Sequence, residues 1–214
     1  MTGRQRPAAS LPASYFDAIY ERDPDPWRFQ TSTYERAKYD ATLAALPRPR
    51  HRRALEVGCS IGVLTRDLAL RCDALLAVDA AEKPLAAARA ACADRPNAAF
   101  ARLRVPDEWP GHDAGAAFDL ILLSEVVYYL DRADVARLAG RVEASLAPDG
   151  DCLLVHWTGE TDYPLSGDEA AEAFIAAASG FAALTRQERS GRYRLDLLQR
   201  VGAAGRRAAA APPP

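Results

Sequence analysis

Apolar positions in the middle of the chain fall in short uninterrupted runs, at 54–57, 74–78, 99–103, 118–123 and 152–156. Between them lie amphipathic stretches near 62–70, 82–93 and 131–146, where apolar residues recur at helical spacing. A strand that is apolar on both faces belongs in a parallel sheet covered by helices on each side. The pattern therefore predicts alternating strands and helices over residues 51–202. The link from the third run to the fourth carries Pro106, Pro110, Gly111 and Gly115 and is too irregular to assign a helix. Pro148 and Gly150 are expected to stop the helix that precedes the fifth strand.

The flanks behave differently. Residues 11–50 form a helical lid, with two helical stretches around the turn-forming sequence Asp23-Pro24-Asp25-Pro26-Trp27. Phe16, Ile19 and Tyr20 share one face of the first stretch. The second runs from about Thr33 to Leu46, where Pro47 stops it. After the fifth strand come a helix at about 167–179 and two runs around Ser190–Gly191, which read as an antiparallel β-hairpin closed by a two-residue Ser-Gly turn. Alternation is clean only in the second of these runs. Residues 1–10 and 203–214, polar and small at one end and closing on three prolines at the other, are expected to be a disordered end and a flexible tail.

Composition narrows the partners. The 214 residues, 49% apolar, suit one α/β domain with a sizeable core, and a net charge of −2 gives no pull toward nucleic acid or an anionic membrane. A small molecule is the expected partner. Cys59, Cys72, Cys92 and Cys152 are irregularly spaced and form no metal-ligand pattern, so they read as free thiols in a reducing compartment. No apolar leader and no run of roughly 18 apolar residues is present, which points to the cytoplasm. No pattern sets an oligomeric state.

The candidate chemistry sits where the first strand meets the first following helix, at Glu56-Val57-Gly58-Cys59-Ser60-Ile61-Gly62. An open α/β sheet has its ligand crevice at this switch point. Gly58 allows a tight turn under a ligand, and Gly62 lets helix and strand pack closely. The second strand ends at Asp79, where a carboxylate can accept hydrogen bonds from ribose hydroxyls. A dinucleotide fingerprint would need glycine at 58, 60 and 63, but Ser60 and Val63 occupy the last two positions. Glu56 disfavours a pyrophosphate and favours a cation. These residues point to S-adenosylmethionine, leaving S-adenosylhomocysteine as product. They also point to a Rossmann-like class I methyltransferase fold, a seven-stranded mostly parallel sheet with a C-terminal hairpin and helices on both faces. Ser124 and Glu125 emerge at the end of the fourth strand beside the loop. There Glu125 either takes part in the reaction or caps the next helix. Val105 lies near the expected adenine position.

The sequence resembles the nodulation protein S family of S-adenosylmethionine-dependent methyltransferases. The likeness is carried by Tyr15-Phe16, by Asp23 to Trp27, by Thr31 to Glu35 with Lys38-Tyr39, by Leu123 to Leu130, and by His156 to Pro164. It implies N-methylation of an amino sugar, in that family the free amine of a deacetylated chitin-like oligosaccharide. His156 at the end of the fifth strand, Asp162 in the loop after it and Glu125 are candidate proton acceptors. Each also has an ordinary structural role open to it. Trp27, Arg28 and Tyr34 are expected over the cofactor, Glu35 and Lys38, three apart on a helix, are expected to pair with each other, and His112 is expected exposed in its loop. Open alternatives are O-methylation of another metabolite, a non-catalytic S-adenosylmethionine-binding protein and, remotely, a nicotinamide dehydrogenase.

Overall fold

Each apolar run becomes a strand of one sheet, in a computed structural model that describes residues 6–110 and 117–201. In chain order the elements are α1 (Ala13–Arg22), α2 (Thr33–Ala45), β1 (His51–Val57), α3 (Val63–Leu68), β2 (Cys72–Asp79), α4 (Glu82–Ala91), β3 (Ala98–Arg102) and β4 (Phe118–Ser124). They continue with α5 (Arg132–Ser145), β5 (Leu146–Trp157), α6 (Gly167–Ala178), β6 (Ala182–Ser190) and β7 (Tyr193–Arg200). The seven strands lie in the order β3-β2-β1-β4-β5-β7-β6. All neighbours from β3 to β5 pair parallel, and β7 runs antiparallel to both β5 and β6. The direction of strand succession reverses between β1 and β4, which opens the crevice at their C-terminal ends.

Alternate residues of the central strands feed two cores. Leu55, Ile121 and Leu154 pack with Leu138 of α5 and Phe174 of α6. Ala54, Leu120 and Leu153 pack with Leu64 and Leu68 of α3 and Tyr39 of α2. Helices therefore cover both faces, which is why the strands carry no polar stripe.

Several expected details shift. Helix α5 ends at Ser145 without help from Pro148 or Gly150. Leu146 already pairs with Phe118, and the ladder changes register before Leu120 meets Asp151, so the segment with Pro148 and Gly150 forms an irregularity inside β5. The hairpin turn is Gly191-Arg192, because Ser190 still pairs with Tyr193, and Gly191 supplies the positive φ of 60°. The first hairpin strand lacks alternation because its ladder slips between Leu184 and Arg186 and nearly all of it is exposed at the sheet edge. In β7 the polar residues of the alternation are buried too, with Arg194 Nε 2.7 Å from Asp196 Oδ2. Residues 103–110 form turns without a helix; His112, Gly111 and Gly115 lie outside the described residues. The expected disordered end and tail also fall largely outside them, whereas Ser10 is bonded, its hydroxyl 2.5 Å from Asp134 Oδ2. No helix among the described residues is long and apolar enough to cross a membrane.

Candidate functional site

The loop after β1 holds three residues of left-handed backbone, Gly58 (φ 81°), Ser60 (φ 49°) and Gly62 (φ 81°). Gly58 passes so close to β4 that a Cβ there would overlap Val126 Cγ1. At Gly62 a Cβ would lie 2.9 Å from Ala88 of α4, so this glycine sets helix packing. The loop is tied to β2 three times: the Gly58 and Cys59 N–H groups donate to Val78 O at 2.8 and 3.1 Å, and the Ser60 N–H donates to Asp79 Oδ2 at 2.9 Å. Asp79 also accepts the Ala81 N–H at Oδ1, 3.0 Å away. A carboxylate oxygen has two acceptor sites, so both Asp79 oxygens keep one to offer a ligand.

Gly58, Ser60, Asp79, Val105 and Ser124 line one side of a cavity of about 470 Å³ at the C-terminal edge of the sheet. Its other walls come from the N-terminal segment and the loop after β5. The Asp23–Trp27 turn is built by carboxylates, with Asp25 accepting the N–H of Phe29 at 2.8 Å. That turn carries Trp27 onto the cavity, stacked on Phe29 at 5.5 Å between ring centres. Ser32 then caps α2 by accepting the Glu35 N–H, and α2 presents Tyr34 to the same space. The Tyr34 hydroxyl is buried without a hydrogen-bond partner, and burial raises its pKa to about 12.

Glu125 adopts a positive φ of 57° and is held by three partners. Its Oε2 accepts the Tyr128 hydroxyl and the Trp157 N–H, each at 2.8 Å, and its Oε1 lies 2.5 Å from Lys38 Nζ. Burial pushes its pKa up, but the Lys38 charge together with the hydrogen bonds from Lys38 and the Trp157 N–H outweighs that, and the net shift is downward. It is an ionised carboxylate on the cavity wall, its Oε2 filled and its Oε1 paired with the Lys38 ammonium.

Several predicted site residues do not reach the cavity. Glu56 is 2% exposed and its strand parity turns it toward α3; burial raises its pKa to about 7. It therefore presents no carboxylate to a cationic ligand. Cys59 packs with Ala77 and Leu85 beneath the loop, and Gly62 faces Ala88. His156 is fully buried, its Nε2 accepting the Val127 N–H at 3.2 Å, and burial lowers its pKa to about 4. It is a neutral imidazole filling a backbone-bonding role, away from the cavity. Asp162 is exposed, while its neighbours Thr161 and Tyr163 line the wall. Arg28 does not line the cavity.

The cavity also takes in residues to which the sequence assigned no part in the site. Glu160 reaches its wall from the loop after β5, Phe16 and Tyr20 roof it from α1, and Lys38 joins from α2. The helical face of Phe16 and Tyr20 was readable, but which surface it would cover was not.

The family model for nodulation protein S matches residues 19–158, and the chain belongs to that family. It is 32% identical over 132 residues to the nodulation protein S of Rhizobium tropici, a match covering 61% of this chain and 54% of that relative. The chain thus spans little more than half the length of the curated relatives it matches. A Pseudomonas syringae protein, solved as a candidate methyltransferase, is 40% identical, with a TM-score of 0.66, covering 79% of this chain and all of that one. The N-methyltransferase NodS of Bradyrhizobium japonicum WM9, solved with S-adenosylhomocysteine, superposes with a TM-score of 0.73 at 22% identity, over 86% of this chain and 97% of that one. The fold is that of S-adenosylmethionine-dependent methyltransferases.

Proposed function

We propose that this member of the nodulation protein S family is an S-adenosylmethionine-dependent N-methyltransferase. The acceptor we propose is the amine of a small molecule, an amino sugar or a deacetylated chitooligosaccharide. The observation that carries this reading is Asp79 at the end of β2, bonded to the Ser60 N–H and facing a cavity that Gly58 leaves open beside it. A carboxylate there suits the two hydroxyls of a ribose, and Leu103, Arg104 and Val105 continue the wall where a purine would lie. The relatives point the same way: a NodS described as an N-methyltransferase shares this fold.

Bound S-adenosylmethionine would supply a sulfonium methyl already activated for displacement. The chain's own task is then to bind, align and exclude water. Phe16, Tyr20, Trp27 and Phe29 close the space from the N-terminal side. Tyr34, Trp157 and Tyr163 give the acceptor side aromatic faces, and Thr161 and Glu160 supply polar groups there, a combination suited to a sugar. A neutral amine needs no strong base, whereas a hydroxyl does. His156 is buried off the cavity, and Glu125 is held ionised by Lys38 with both acceptor sites of its Oε2 filled, which favours the amine over O-methylation. All four cysteines are free and buried, in keeping with a cytoplasmic enzyme.

Calorimetry with S-adenosylhomocysteine tests the donor half. Micromolar binding that is lost in Asp79→Ala supports it. Absence of binding, or preferred binding of a nicotinamide dinucleotide, would sink the proposal.

A further inference from the structure

Lys38 is 2% exposed, a place where an ammonium is seldom found unless it is paired. Its Nζ lies 2.9 Å from Glu35 Oε2 on its own helix and 2.5 Å from Glu125 Oε1 at the end of β4. It also sits 5.5 Å from the centre of the Tyr34 ring, which packs edge-on against Trp157 at 5.6 Å. Through Glu125, the same ammonium is linked to the Tyr128 hydroxyl and the Trp157 N–H. One buried cation therefore gathers α2 and the ends of β4 and β5 around the cavity.

We propose that Lys38 is a positioning residue of the transfer site, latching the N-terminal segment onto the ends of β4 and β5 and so fixing the wall formed by Tyr34 and Trp157. Its consequence for catalysis rests on the methyltransferase reading, whereas the latch itself is a property of the fold. Two carboxylates and one ammonium leave the cluster with a single negative charge. The groups facing it are Asp25 toward Glu35, Tyr39 and Tyr193 near α2, and the neutral His156 behind Glu125. None of these can replace the cation. Without Lys38, Glu35 and Glu125 repel each other when both are ionised, and the wall separates. Loss of the cation raises the pKa of both carboxylates, and protonating one of them removes the repulsion, so the defect should shrink as the pH falls.

Cleavage of the 11–47 segment of the full chain by thermolysin reads the latch without any ligand. Rates are normalised to cleavage of an unfolded substrate, and far-UV circular dichroism checks folding. The expected result is that Lys38→Met is cut about tenfold faster than wild type at pH 8 and less than about threefold faster at pH 6. Affinity for S-adenosylhomocysteine should fall in parallel, and adding Glu125→Gln should restore protection at pH 8. A rise equal at both pH values and unrelieved by the second substitution means a packing defect and overturns the proposal, as does wild-type protection in Lys38→Met. If Lys38→Met does not fold, Lys38→Arg decides: it keeps the charge and should keep the protection, and its loss overturns the latch. If the wild-type chain binds no S-adenosylhomocysteine, the methyltransferase reading fails while proteolysis still judges the latch.

Discussion

The hydroxyls of Ser60 and Tyr20 meet at 2.5 Å, joining a loop residue in the left-handed region to the helix that roofs it. Serine stands where such loops frequently carry glycine, and the bond to Tyr20 gives the side chain a partner that compensates for the strained backbone. Tyr20→Phe should therefore leave Ser60 Oγ unpaired, lower stability by about 1 kcal/mol and weaken S-adenosylhomocysteine binding several-fold. Ser60→Gly should relax the backbone yet weaken binding similarly, by freeing the roof. Thermal melts and calorimetry on both variants check this; unchanged affinity in both would separate the roof from ligand binding.

Asp79 holds the loop and, on the proposed function, offers its remaining acceptor sites to the ligand. Asp79→Asn replaces one acceptor oxygen with an NH₂ group that faces a backbone N–H or a ribose hydroxyl. A charge-assisted bond is worth roughly 1.5–3 kcal/mol, so affinity should fall on the order of 10- to 100-fold with the fold intact. Binding within twofold of wild type would contradict the assignment.

Glu56 lies in the core with a pKa raised by burial to about 7 from an ordinary 4.5. The folded chain holds this proton more tightly than the unfolded chain between those values. Stability is therefore lost as pH rises through that window, by about 3 kcal/mol once both states are ionised. Glu56→Gln should change little at pH 4 and stabilise by on the order of 2–3 kcal/mol at pH 8. Denaturant melts at the two pH values measure the difference, and equal effects at both would refute it.

His156 works with the opposite sign. Burial lowers its pKa from 6.5 to about 4, so the unfolded state binds the proton first. This group's share of stability is lost as pH falls from about 6.5 toward 4, about 3 kcal/mol in all. His156→Gln, which can still accept the Val127 N–H, should flatten that acid loss in denaturant melts. It should also retain methyl transfer within about tenfold, because the imidazole does not line the cavity and its Nε2 is bonded to Val127. A drop of a thousandfold with the neutral limb of the pH–rate profile abolished would return His156 to the chemistry.

The strands, the parallel sheet with its terminal hairpin and the glycine loop were legible because apolar runs and turn-forming glycines are local signals. Strand ends were legible too, but not the face each end presents. On β1, Val57 lines the cavity while Glu56 turns into the core, and on β5, Trp157 lines it while His156 does not. Adjacent residues on a strand point to opposite faces, and only the packed sheet decides which face closes the crevice. Lys38 was legible only in part, for a related reason. Its spacing revealed Glu35, three residues away, whereas Glu125 reaches it only after α2 folds across β4.

The central claim is methyl transfer to an amine. The decisive measurement is a labelled-methyl screen of the purified chain over glucosamine, deacetylated chitooligosaccharides and other small amines, with product mass spectrometry. The account predicts one or more added methyl groups on nitrogen of an amino sugar, and loss of that product in Asp79→Ala. Label appearing on oxygen, or no transfer to any amine by a chain that binds S-adenosylhomocysteine, would contradict it.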